Sequence, residues 1–119
     1  MSAKAADLID RTYRFAVDIR KLVNQLPRTL AAIEDGKQLI RSPGSVAANY
    51  LEAQEGLSRR DFFFRIKICR KEARESALWL RLLGDGESGA ANGELVRLQD
   101  EALQLTRVLS AIVAKERQN

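Results

Sequence analysis

The chain reads as an all-α protein: an antiparallel, up-down-up-down four-helix bundle, one domain over residues 1–119. Three observations carry that reading. Four segments repeat apolar residues at alternating spacings of four and three, the period of a helix with one buried face. Ala, Leu, Arg and Glu are abundant, whereas two prolines and 6% aromatic residues leave little strand-forming material. The links between segments are mostly short, which sets successive helices antiparallel. A chain of 119 residues with 45% hydrophobic and 30% charged residues supplies one packed core and a solvated surface.

The first helix, about residues 4–26, places Leu8, Thr12, Phe15, Ile19, Leu22 and Leu26 on one seam, widened by Ile9, Ala16 and Val23. Pro27 stops it, having no N–H to give to the preceding turn. The second, about 28–56, is the least regular. Gly36 weakens it and Pro43-Gly44 should kink or break it near 43. Beyond that point Val46, Ala47, Tyr50 and Leu51 share an apolar side with Leu39 and Ile40. Ser58 reads as an N-cap with Asp61 as the capping-box acid, opening a third helix over 59–83. Its seam is Phe62, Ile66, Cys69, Ala73, Ser76, Leu80 and Leu83, with small residues in the middle that admit a close neighbour. Gly84 through Gly93 hold four of the seven glycines and read as a flexible loop without calcium-ligand spacing. The fourth helix, about 93–116, carries Leu95, Leu98, Ala102, Leu105, Leu109 and Ile112.

Composition excludes a good deal of chemistry. The chain contains no histidine, which removes His-based acid–base catalysis, Ser-His-Asp and Cys-His nucleophile systems and histidine metal sites. No catalytic residue, metal ligand or cofactor is expected. Cys69 is the sole cysteine, so no intrachain disulfide can form, and a lone thiol fits a reducing compartment. Asp7 and Asp10 interrupt what a signal peptide would need, and no window approaches eighteen apolar residues, so the expected location is cytoplasmic.

Three constellations carry functional expectations. Between Arg59 and Arg81 stand eight basic residues against three acids, a net +5 that exceeds the whole chain's +4. At 100° per residue, Arg60, Lys67, Arg70, Lys71, Arg74 and Arg81 share an arc of about 100°. Such a stripe can follow a phosphate backbone and gain affinity by releasing counterions. The plainer alternative is a solvated face with Arg70 and Lys71 paired to Glu72 and Glu75. Second, Phe64, Ile68, Trp79 and Leu82 widen the apolar arc of the same helix to about 200°, where a monomeric bundle needs little over 100°; this flank is the candidate oligomer interface. Third, Arg41, Ser45, Asn49 and Glu52 share a narrow strip of the second helix, a candidate polar network that fixes helix register.

The run from Gln38 to Ala53, with Arg41, Ser45, Val46, Asn49 and Glu52, resembles the Arg…Ser-Ile/Val-x-x-Asn-x-x-Glu-Gly/Ala signature of the 23S rRNA intervening-sequence proteins. The stretch Arg65 to Ser76, continued by Trp79 to Leu83, is similar to that family's third helix. The resemblance spans roughly residues 8 to 115 and departs from the pattern at Pro43 and Ala53. It implies a bundle that assembles into a ring-like homopentamer. It also implies kinship with basic, nucleic-acid-binding accessory proteins of diversity-generating retroelements. Arg41, Ser45, Asn49, Glu52, Glu72 and Glu75 match the family's motif positions, and no catalytic role attaches to any of them.

The expected function is therefore a non-catalytic oligomer that contacts RNA or DNA backbone through the basic stripe. The alternative is a protein-binding scaffold whose partner is another protein. The partners expected are further copies of the chain, then RNA, DNA or a protein, and no membrane.

Overall fold

In the computed structural model, described over residues 1–86 and 92–118, the chain forms α1 (Ala3–Asn24), α2 (Leu30–Gln54), α3 (Arg59–Gly86) and α4 (Asn92–Ala114). A single 3-10 turn, Lys115–Arg117, follows α4. No strand occurs among the described residues. Each helix packs on the next in sequence, and α4 returns to α1 through a lighter contact, closing a four-helix bundle of 49 × 21 × 21 Å. Among the described residues no helix is long and apolar enough to cross a membrane.

Hydroxyl caps fix where the helices begin. Ser2 Oγ accepts the Ala5 N–H, Thr29 Oγ1 the Ala32 N–H and Ser58 Oγ the Asp61 N–H, satisfying donors that the first turn leaves orphaned. Thr29 is why α2 starts at Leu30 rather than near Arg28. At the end of α1 the Gln25 N–H bonds to the Leu22 carbonyl, a tightened last turn that stops two residues before Leu26.

α2 runs unbroken through Pro43. A mid-helix proline costs about 3 kcal/mol, and tertiary packing offsets that cost here. Pro43 is enclosed between Leu39 and Val46, both fully buried, and its neighbour Ser42 meets Ser76 of α3 Oγ to Oγ at 2.8 Å. The small side chains Ser42, Ala73 and Ser76 bring α2 and α3 close. Ser76 also donates to the Glu72 carbonyl, and Cys69 Sγ lies 3.4 Å from the Val46 carbonyl. Gly36 does the same between α1 and α2: a Cβ there would lie 3.2 Å from Val23 Cγ1.

The α3 seam opens with Phe63, not Phe62. Phe62 is half-buried and meets the Phe63 ring edge-on at 5.1 Å. Arg59 explains the difference. Its guanidinium lies 4.9 Å over the Phe63 ring while Nη2 approaches the carbonyls of Lys115, Glu116 and Gln118, at 3.0, 3.0 and 2.8 Å. The C-terminal turn thus closes over the Phe63 side of α3. At the other end α3 continues past Leu83 to Gly86. A Cβ on Gly84 would stand 3.0 Å from Gln99 Nε2 and 3.2 Å from Leu95 Cδ2, so glycine admits α4 against the last turn of α3. Of the expected loop, residues 87–91 lie outside the described residues, and Gly93 already belongs to α4.

The lighter α1–α4 joint is laced by ions. Arg11 forks onto both carboxylate oxygens of Glu101 at 2.9 and 2.7 Å, which raises its pKa, the hydrogen bond to Glu101 being the main cause. Arg97 reaches Asp18 across the joint at 2.9 Å while holding Glu94 on its own helix.

Candidate nucleic-acid interface

α3 turns its core side between α2 and α4 and leaves its outer side open. Arg60, Lys67, Lys71, Arg74 and Arg81 are exposed there and Arg70 is half-buried. Lys67 is bound by Glu116 of the C-terminal turn at 2.7 Å, and Arg81 stands 3.9 Å from Asp85 with both ends in solvent. The acids that could neutralise the stripe's centre are engaged elsewhere. Glu72, only 5% exposed, and Glu75 both face Arg41 of α2, whose Nη2 lies 3.3 and 3.6 Å from their Oε2 atoms. Arg60, Arg70, Lys71 and Arg74 therefore have no ion-pair partner among the described residues. Lys67, Arg70, Lys71 and Arg74, with Glu75, line a shallow depression of about 300 Å³. Concentrated positive charge over a shallow trough suits an anionic polymer.

Beside the stripe runs the apolar flank. Phe64 is 57% and Leu82 45% exposed, while Ile68 and Trp79 are half-buried. Trp79 packs on the core, and its indole N–H is sealed from solvent without an acceptor among the described residues. Neither α2 nor α4 covers Phe64 or Leu82.

The polar strip on α2 divides. Asn49 Nδ2 donates to the Ser45 carbonyl and hydroxyl at 3.0 and 3.1 Å, and Arg65 of α3 donates to Asn49 Oδ1 at 3.2 Å. Arg41 points instead to Glu72 and Glu75. Glu52 is exposed, with no hydrogen-bond or ion-pair partner among the described residues. Cys69 is fully enclosed, and burial pushes its thiol up to about 12, the opposite of an activated nucleophile. Among the described residues no group of three or more Cys, Asp or Glu side chains is arranged to hold a metal ion.

Sequence reasoning missed two features. One is the Arg59 clasp on the C-terminal turn, which pairing across 56 residues or more puts beyond local patterns. The other is an apolar slot of about 370 Å³ between α3 and α4, lined by Arg74, Ala77, Leu78, Arg81, Gln99 and Leu103. Leu103 lies off the seam of Leu98, Ala102 and Leu105, a visible signal that a helix-by-helix reading passed over.

The fold and the α3 surface can be set beside known proteins. A crystal structure of a protein of unknown function from the S23 ribosomal protein family of Bacteroides thetaiotaomicron VPI-5482 superposes with a TM-score of 0.80 at 29% sequence identity, covering 93% of this chain and 98% of that one. No curated protein matches the chain. The family model for the 23S rRNA-intervening sequence protein matches residues 4–111, which takes in all four helices and both motifs, Arg41–Glu52 and Arg65–Leu83. The chain belongs to the 23S rRNA-intervening sequence protein family.

Proposed function

We propose that this protein is a non-catalytic homo-oligomer, a ring of five chains as the resemblance implies, that binds RNA or DNA through its phosphate backbone along the α3 stripe. One observation carries the reading. Glu72 and Glu75 are held by Arg41, so the acids of α3 do not neutralise Arg70, Lys71 and Arg74. The Phe64–Leu82 flank beside the stripe supports assembly, because large apolar side chains open on a helix face are covered by a partner in stable oligomers. The absence of histidine and the buried, high-pKa thiol support a binding role over catalysis.

Backbone binding is read from salt dependence. The logarithm of affinity should fall linearly with the logarithm of salt concentration, by about 0.9 per phosphate neutralised on duplex DNA and about 0.7 on a single strand. Replacing Arg70, Lys71 and Arg74 with glutamine should flatten the slope per chain by about 2 to 3 on either, with oligomer size unchanged. Anisotropy titrations of labelled RNA and DNA measure it. An unchanged slope, or no binding by wild type at low salt, refutes the reading and leaves the scaffold role.

A further inference from the structure

We infer that the α3–α4 slot receives an unstacked base, making single-stranded nucleic acid the substrate class of the stripe; this rests on the proposed backbone binding. The basic depression and the apolar slot meet at Arg74, the one residue that lines both. Toward the N-terminus of α3 the surface is Arg70, Lys71 and Lys67. Toward the C-terminus it drops into a hollow floored by Ala77, Leu78 and Leu103 and guarded by Arg81. Leu78 and Leu103 are each 49% exposed, so they offer apolar surface that the chain itself leaves half uncovered.

A ligand that satisfies both halves carries a line of anions with flat apolar groups beside it. A single strand presents that combination, since its bases can splay from the backbone and lie against apolar side chains or arginine planes. A duplex does not, because its bases are stacked inside and it would offer the slot only sugar and phosphate. Arg74 and Arg81 stand two helical turns apart, about 10 Å along the axis, and flank the slot with guanidinium groups that can take phosphates or stack. Gln99 adds a polar edge. Its Nε2 donates to the Leu80 carbonyl at 3.1 Å, leaving the amide oxygen without a partner among the described residues. A peptide helix is disfavoured by size, since about 370 Å³ is near the lower end of small-ligand pockets and too short for a row of helix anchors.

The test uses the full chain, an unstructured RNA 20-mer, the DNA strand of the same sequence, and the matching DNA duplex, at one salt concentration and across a salt series. Wild type should bind the single strands more tightly than the duplex. Leu78→Gln with Leu103→Gln removes slot surface without changing charge. It should weaken single-strand binding about fivefold or more, leave duplex binding unchanged, and leave the salt slope unchanged, whereas the arginine and lysine variants change the slope. Should that pair melt early, Leu103→Ala alone and photo-crosslinking of a 4-thiouridine strand to the α4 segment around Leu103 report on the same slot. Equal affinity for duplex and single strand, single-strand binding untouched by slot variants, or crosslinks elsewhere overturns the slot while the backbone reading stands. No binding of any nucleic acid at low salt overturns both.

Discussion

Arg41 is the single side chain whose loss should cost most for its exposure. Its guanidinium is half in solvent, yet among the described residues its Nη2 is the one cation within 4 Å of the Glu72 and Glu75 carboxylates. Both Oε2 atoms are sealed from solvent and accept no hydrogen bond among the described residues, so Arg41 is what compensates their burial. Removing one partner of a fully buried ion pair costs about 3–5 kcal/mol. Exposed pairs are worth about 0–1 kcal/mol. Glu72 is buried while Arg41 is half exposed, so an intermediate loss of about 2–3 kcal/mol is expected for Arg41→Gln. For a chain of this length that amounts to roughly 4 °C in melting temperature per kcal/mol. Urea denaturation at fixed protein concentration measures the loss, because any assembly makes stability concentration-dependent. The decisive number is the coupling in a double-mutant cycle. Glu72→Gln in the Arg41→Gln background should recover part of the loss, giving a coupling above about 1 kcal/mol. Losses below about 0.5 kcal/mol with no coupling would refute the claim that Arg41 holds the α3 acids away from the stripe. The same cycle bears on function, since acids released from Arg41 become free to pair with Arg70 and Lys71.

Three further outcomes follow from named contacts. Burial raises the folded Cys69 thiol to about 12, against about 8.5 in the unfolded chain. Its contribution is therefore fully present below about pH 8.5 and is lost as pH rises toward 12, at about 1.4 kcal/mol per unit. Cys69→Ala should show a shallower alkaline loss of stability than wild type, and identical profiles would place the thiol in solvent. Glu116→Gln frees Lys67 from the C-terminal turn, so salt slopes on duplex DNA should steepen by up to about 0.9 per chain; no change means Lys67 does not reach phosphate. If the proposed oligomer forms, Phe64→Gln with Leu82→Gln should lower the mass measured by light scattering while helix content is kept, because both side chains are open within one chain. A wild-type mass of 13.3 kDa would show that the flank covers no partner.

The sequence by itself determined the helices and their faces. Spacings of four and three set Phe15, Ile19 and Leu22 on one side of α1 and Ile66, Cys69, Ala73 and Leu80 on one side of α3, and these residues are the enclosed ones. The same angular arithmetic put Arg60, Lys67, Lys71, Arg74 and Arg81, with Phe64 and Leu82, on the exposed side of α3, since facing is a property of a single helix, whereas Arg70, Ile68 and Trp79 are half-buried. Only the tertiary structure decided what each face meets. Pro43 sits fully buried in an unbroken helix whose neighbouring turn meets α3 through Ser42 and Val46, a compensation no local propensity encodes. Gly84 reads as loop chemistry, yet it serves a close approach of Leu95 and Gln99. Glu72 and Glu75 are within pairing distance of Arg70 and Lys71 in sequence, but α2 supplies Arg41 on their side, and burial there decides the competition. The α3–α4 slot, which joins Arg74 to Arg81 of α3 with Gln99 and Leu103 of α4, exists only once two helices are laid together. Periodicity reports the direction of a side chain, whereas a partner for it is fixed by packing between helices.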